Sequence, residues 1–179
     1  MPPRQPFPKI WLISDARNDL VLEAALKRLP RGSGLIYRHY HLSPISRRTR
    51  FERLARIARS CGHLVILGGS ANEARAWGAD GAYGAPHLMK LGPRAIRLVA
   101  VHSLRELAQA RRADAILLSP VFPTRSHPGG ANLGAVRFLS LARRSRHPII
   151  ALGGMNPARA RHLGAPRWAA IDGLIPKDS

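Results

Sequence analysis

Two short segments of this chain carry groups suited to holding a phosphorylated ligand. Thr124-Arg125-Ser126-His127 puts two hydroxyls, a guanidinium and an imidazole into four residues of a Pro- and Gly-rich stretch. Such a set suits the oxygens of a phosphate or pyrophosphate, and it equally suits a solvated loop. Gly153-Gly154 lies between an apolar run and Asn156-Pro157, a helix-start signal. Glycines let backbone N–H groups approach an anion, and a helix N-terminus adds positive potential. A tight turn without a ligand would use the same pair. His102 and His127 are candidate proton carriers near neutral pH, or structural hydrogen-bonders. Asp15 and Asp172 are two of only ten acidic residues.

These groups need a scaffold. Continuously apolar runs occur at 10–14, 34–37, 64–67, 80–83, 96–102, 115–119, 148–152 and 168–171. Short runs without polar alternation are the pattern of strands buried on both faces of a parallel sheet. Helical spacing fills the gaps at 18–29, 46–61, 71–77, 103–110, 134–146 and 157–163, with Asn18, Ser103 and Asn156 as expected N-caps. Eight strands alternating with helices predict a compact (β/α)8 TIM barrel rather than a doubly wound sheet. The 179 residues fall below the ~200 usual for such a barrel. The last helix is therefore expected to be missing or rudimentary. The expected organisation is a Pro-rich N-terminal extension over 1–9 and one barrel domain over 10–179. Either that extension or a partner subunit would cover the seam, so a homodimer is possible.

In a barrel the chemistry sits at the C-terminal ends of the strands. That places Asp15, Arg38, His102, the 119–130 loop, Gly153, Gly154, Asp172 and Gly173 at one mouth. The loops after the seventh and eighth strands are the usual phosphate position. The first and eighth strands are neighbours in a closed barrel, so Asp15 and Asp172 would face each other. They could hold a cation, or pair with Arg17 or Arg38.

Composition narrows the classes further. The formal charge is +19, and 25 of the 29 basic residues are arginine. That excess fits either a polyanionic partner or a bias spread over the surface. Arginines at 47, 50, 53, 56 and 59 precess around one helix, but without interleaved exposed aromatics, so nucleic acid is not an expected partner. The one cysteine, Cys61, excludes a disulfide framework and a cysteine zinc cluster. The N-terminus lacks a secretory apolar region, and no run reaches the ~18 residues of a membrane helix, so a cytoplasmic protein is expected.

Several segments, in register, resemble one family. Leu118-Ser119-Pro120-Val121-Phe122-Pro123-Thr124 followed by Ser126 is similar to the Gly-Pro-Val-Phe-Pro-Thr-x-Thr-Lys loop of thiamine phosphate synthases and their TenI relatives. Trp11-Leu12-Ile13-Ser14-Asp15, Tyr37-Arg38, Gly78-Ala79-Asp80-Gly81, Val101-His102-Ser103-Leu104 and Ala151-Leu152-Gly153-Gly154-Met155 resemble further family segments in the same order. The resemblance implies a (β/α)8 barrel of thiamine biosynthesis, with phosphorylated pyrimidine and thiazole ligands. It implies a transferase that couples hydroxymethylpyrimidine pyrophosphate to thiazole phosphate with Mg²⁺. It assigns Arg38 to the pyrophosphate, Thr124 and Ser126 to the hydroxyl loop, and Gly153 and Gly154 to the thiazole phosphate. The family's two metal carboxylates, however, fall within Gly68-Gly69-Ser70 and Ala85-Pro86-His87-Leu88, which offer none. Ile36, Tyr40, Ala100 and His127 stand where the family has Gln, Lys, Ser and Lys. The thiazole tautomerase histidine is replaced by Pro120, leaving His102 or His127 for proton transfer. A non-catalytic phosphate-ligand-binding or regulatory paralogue, or a tautomerase-like enzyme, is the alternative to a synthase.

Overall fold

The computed structural model describes residues 7–126 and 128–175. Eight short parallel strands close in sequence order into a barrel: β1 (Ile10–Ile13), β2 (Gly34–Tyr37), β3 (Leu64–Gly68), β4 (Gly81–Gly84), β5 (Ile96–Val101), β6 (Ala115–Leu118), β7 (Ile149–Ala151) and β8 (Trp168–Ala170). The pairing of Ile10, Trp11 and Leu12 with Trp168, Ala169 and Ala170 closes the ring. The strands read as apolar throughout because alternate residues serve two cores. Trp11, Ile13, Ile36, Ile66, Leu98 and Leu117 fill the interior. Leu12, Leu35, Leu67, Val99, Ile116 and Leu118 point outward under the helices.

Among the described residues six α-helices cover the outside: α1 (Leu22–Arg28), α2 (Pro44–Ser60), α3 (Ala71–Ala76), α4 (Leu104–Gln109), α5 (Gly134–Arg144) and α6 (Pro157–Leu163). The β4–β5 crossover carries only a 3-10 turn, Leu88–Lys90. After β8 the described residues contain no helix. A groove of about 550 Å³ between α1 and α6, lined by Ala25, Leu29, Ala160, Trp168 and Leu174 among others, lies along that seam. Phe7 of the expected extension packs on Trp11 at the N-terminal end of the barrel interior, 5.4 Å between ring centroids, and not over the seam.

The strand positions agree with the sequence pattern to within a residue or two at each end. The first helix does not begin as expected. Asn18 is not a cap but a buried residue inside a 3-10 turn, Ala16–Val21, which Asp15 caps. Its amide donates to the carbonyls of Ile13 (2.9 Å) and Ile171 (3.0 Å), tying the ends of β1 and β8 together. A short polar side chain can bridge carbonyls as readily as it caps a helix. The expected caps Ser103 and Asn156 do hold at α4 and α6, and the structure adds Ser43 at α2 and Ser70 at α3.

Candidate functional site

The strand ends after β1 and β2 are joined by a chain of short hydrogen bonds. Arg38 N–H donates to the buried Ser14 hydroxyl at 2.8 Å. The same hydroxyl lies 2.8 Å from His39 Nδ1, and His39 Nε2 lies 2.8 Å from an Asp19 carboxylate oxygen. Because Ser14 accepts from Arg38, its own proton is free for His39 Nδ1. The consistent tautomer then carries its proton on Nε2, directed at Asp19. Burial holds the His39 imidazole below its usual pKa, with the Asp19 hydrogen bond and charge pulling the other way. His39 sits at φ +37, in the left-handed region that non-glycine residues seldom adopt.

Arg38 itself crosses to β1, where its Nη2 donates to Asp15 at 2.9 Å. Asp15 also takes Arg17 Nε at 3.0 Å. Burial pushes the Asp15 carboxyl up, but hydrogen bonds from Arg17 and the charges of Arg17 and Arg38 outweigh it and hold it below its ordinary range. Arg17 reaches on to Asp172 at 3.6 Å and donates to Ser126 Oγ at 2.9 Å. One guanidinium thus links the loops after β1, β6 and β8. Asp15 and Asp172 face each other as expected, with arginine between them.

On the rim of β2 and β3, Arg47 is fixed from three directions. Nε donates to Arg38 O (2.9 Å), Nη1 to Glu73 (2.9 Å) and Nη2 to Gly68 O (2.6 Å). Its guanidinium lies between the rings of Tyr40, at 5.2 Å, and Trp77, at 5.0 Å. A Cβ at Gly68 would stand 2.5 Å from the Tyr40 hydroxyl, and one at Gly69 would stand 2.3 Å from Glu73 Oε2. The space that side chains at 68 and 69 would use is therefore filled by Tyr40 and Glu73. Sequence periodicity put Arg47 on a solvated arginine stripe. A usable signal was its place in the first turn of the helix after β2, which in a barrel lies at the mouth. Arg50 and Arg53 of the same stripe pair with Glu23, and Arg50 also with Asp19, so much of that stripe is neutralised internally.

The opposite rim is built from glycine. Gly153, at φ +100, lies so near Pro120 that a Cβ would meet its Cα at 2.7 Å. A Cβ on Gly154 would meet Pro123 O at 2.5 Å, and one on Gly173 would meet Met155 O at 2.0 Å. The loops after β6, β7 and β8 are stacked without intervening side chains. Among the described residues, nothing accepts from the N–H groups of Gly153, Gly154 or Gly173. Thr124 Oγ1 accepts from Ser126 N–H at 3.3 Å, and Arg125 is exposed beside them. His127 lies outside the described residues. His102, exposed at the end of β5, donates from Nδ1 to Ser119 O at 2.9 Å. The floor between the two rims is apolar, with Ile36, Ala100, Leu152 and Ile171 in or against the interior cluster.

A profile of the family described as thiamine monophosphate synthase matches residues 10–174. The chain belongs to this family. Its sequence is 24% identical over 164 residues to thiamine-phosphate synthase of Pyrococcus furiosus, covering 87% of this chain and 79% of that protein. The fold matches the thiamine phosphate pyrophosphorylase structure from Pyrococcus furiosus with a TM-score of 0.76 at 22% identity, over 91% of this chain and 85% of that one. The corresponding structure from Bacteroides thetaiotaomicron superimposes with a TM-score of 0.59 at 14% identity, over 92% and 82% of the two chains. In this chain Gly68 ends β3, and Gly69 and Ser70 follow it. Among its described residues no group of three or more His, Cys, Asp or Glu could hold a metal ion, and no helix is long and apolar enough to cross a membrane.

Proposed function

We propose that this family member binds a phosphorylated ring of the thiazole or pyrimidine type at the barrel mouth. The phosphate rests on the N–H groups of Gly153, Gly154 and Gly173, with Thr124, Arg125 and Ser126 alongside. The observation that carries this reading is the stack of three glycine turns whose N–H groups have no acceptor among the described residues. Three converging N–H donors, with the α6 N-terminus behind two of them, suit a phosphate. The apolar floor takes the ring. His102 is the candidate proton acceptor, and Arg38 is a guanidinium at the same mouth.

A second reading, a binding or regulatory protein without synthase activity, is favoured by the pairing of Arg38 and Arg17 with Asp15. Arginines neutralised in this way stabilise a departing pyrophosphate less than free ones. The two readings separate in one assay. The protein is incubated with hydroxymethylpyrimidine pyrophosphate and thiazole phosphate, in Mg²⁺ or in EDTA, and thiamine phosphate is measured against a no-protein control. Thiamine phosphate above control selects the enzyme. Calorimetric binding of thiazole phosphate without product selects the binding protein. Absence of any phosphate binding removes both.

A further inference from the structure

The rim opposite the glycine turns has a chemistry of its own. Tyr40, Arg47 and Glu73 come from the β2–α2 loop, the first turn of α2 and the first turn of α3, and they meet over Gly68 and Gly69. Tyr40 presents a hydroxyl where a residue-68 side chain would begin, and its ring lies on the Arg47 guanidinium. Glu73 presents one oxygen to Arg47 at 2.9 Å and the other to the place of a residue-69 side chain.

We propose that Tyr40, Arg47 and Glu73 form a built-in block on this rim that restricts the mouth to phosphate monoesters and excludes Mg²⁺-bound diphosphates. The inference rests on the phosphate reading above and names the ligand class of that site. Three features carry it. First, the volume beside β3 is occupied by a phenol, whose ring lies on the Arg47 guanidinium, and by a carboxylate that accepts from Arg47 at 2.9 Å. Second, the cations nearby are already committed: Arg47 to Glu73, Arg38 to Asp15, and Arg17 to Asp15 and Asp172. A second phosphoryl group reaching from the glycine rim across the mouth meets paired arginines and the Glu73 carboxylate, with no free cation among the described residues of that rim. Third, a hard dication needs several oxygen ligands, and here the one carboxylate at that position is held by a guanidinium. A monoester has its charge met by the glycine turns and needs nothing from this rim.

The test is calorimetric titration of the full chain with orthophosphate and with pyrophosphate, each in excess Mg²⁺ and in EDTA. The block predicts that pyrophosphate binds at least about tenfold more weakly than orthophosphate and that Mg²⁺ tightens neither by more than about twofold; pyrophosphate binding as tight as orthophosphate overturns it. Tightening of pyrophosphate by Mg²⁺ of about tenfold or more overturns it. In Tyr40→Lys and in Glu73→Gln, which keeps a hydrogen-bond partner for Arg47, pyrophosphate affinity rises by about five- to tenfold while orthophosphate stays within about twofold of the parent. Unchanged pyrophosphate affinity in both variants also overturns the block. Orthophosphate that fails to bind the parent protein defeats the phosphate reading and this inference with it. Orthophosphate binding with strong Mg²⁺-dependent pyrophosphate binding defeats this inference alone.

Discussion

The two rims of the mouth handle charge in opposite ways. From β1 to β4 the charged side chains are consumed internally: Arg17 and Arg38 on Asp15, Arg47 on Glu73, Arg50 on Asp19 and Glu23. From β6 to β8 the turns pack through glycine, and the N–H groups of Gly153, Gly154 and Gly173 have no acceptor among the described residues. A net charge of +19 therefore says little about where an anion binds. The rim with more arginine is the more neutral one. The rim with glycine keeps positive potential on fixed N–H groups, and its neighbouring carboxylate, Asp172, is shared with Arg17.

The comparison breaks most visibly at Gly153. Gly153→Ala places a Cβ against the Pro120 backbone at a φ of +100, and neither can yield cheaply. We expect a loss of about 2–4 kcal/mol in denaturant unfolding. Orthophosphate affinity falls by at least about tenfold in calorimetry. An unaltered affinity would mean that phosphate does not sit on this turn.

Next in size is the fixed cation of the other rim. Arg47→Ala removes three hydrogen bonds, two of them to carbonyls, and the aromatic contacts with Tyr40 and Trp77. We expect about 2–3 kcal/mol of destabilisation, with orthophosphate affinity within about threefold of the parent. If orthophosphate binding collapsed while the fold persisted, Arg47 would belong to the anion site and the division between the rims would be wrong.

These two residues also show what could be read from the chain alone. The tight turn at Gly153 was legible, because a glycine pair between a strand and a capped helix marks one with or without a ligand. The barrel was legible for a similar reason, since strands that feed two cores leave continuous apolar runs. Arg47 was not. Periodicity assigns it to a helix face but is blind to its height along that face, and height is what brings a first-turn residue to the strand ends. The Ser14–His39–Asp19 relay was equally hidden, because its members lie on separate elements and each has a bland local reading. Asn18 misled for the opposite reason: it has a strong local preference for capping that a carbonyl bridge between β1 and β8 overrode.

That relay offers a smaller test. In the folded protein the His39 pKa lies below its ordinary value of 6.5, chiefly through burial. The unfolded chain then binds more protons as the pH falls, so stability present above about pH 6.5 declines through the depressed folded value. The lowered carboxyls of Asp15, Asp19 and Glu23 contribute a separate loss, below their ordinary values of 3.8, 3.8 and 4.5. We expect the Tm to fall from neutral pH into the mildly acid range. In His39→Asn, which tolerates a positive φ, that part of the slope disappears while the carboxylate part stays. A slope unchanged in the variant would place the titrating group elsewhere.

Asp172 gives the smallest effect and the finest distinction, since it is the carboxylate set beside the glycine rim. Its contact with Arg17 is 3.6 Å long and part-exposed, with side chains 31% and 40% accessible. Asp172→Asn should change stability by less than about 0.5 kcal/mol. Removing a negative charge next to Gly173, and releasing Arg17 toward Ser126, should raise orthophosphate affinity by about two- to fivefold at low salt. That gain should shrink as salt is added. A cation shared by Asp15 and Asp172 predicts the reverse: Mg²⁺-dependent binding that Asp172→Asn abolishes. The sign of one affinity change, in Mg²⁺ and in EDTA, therefore decides whether the acids of this mouth restrain an anion or recruit a metal.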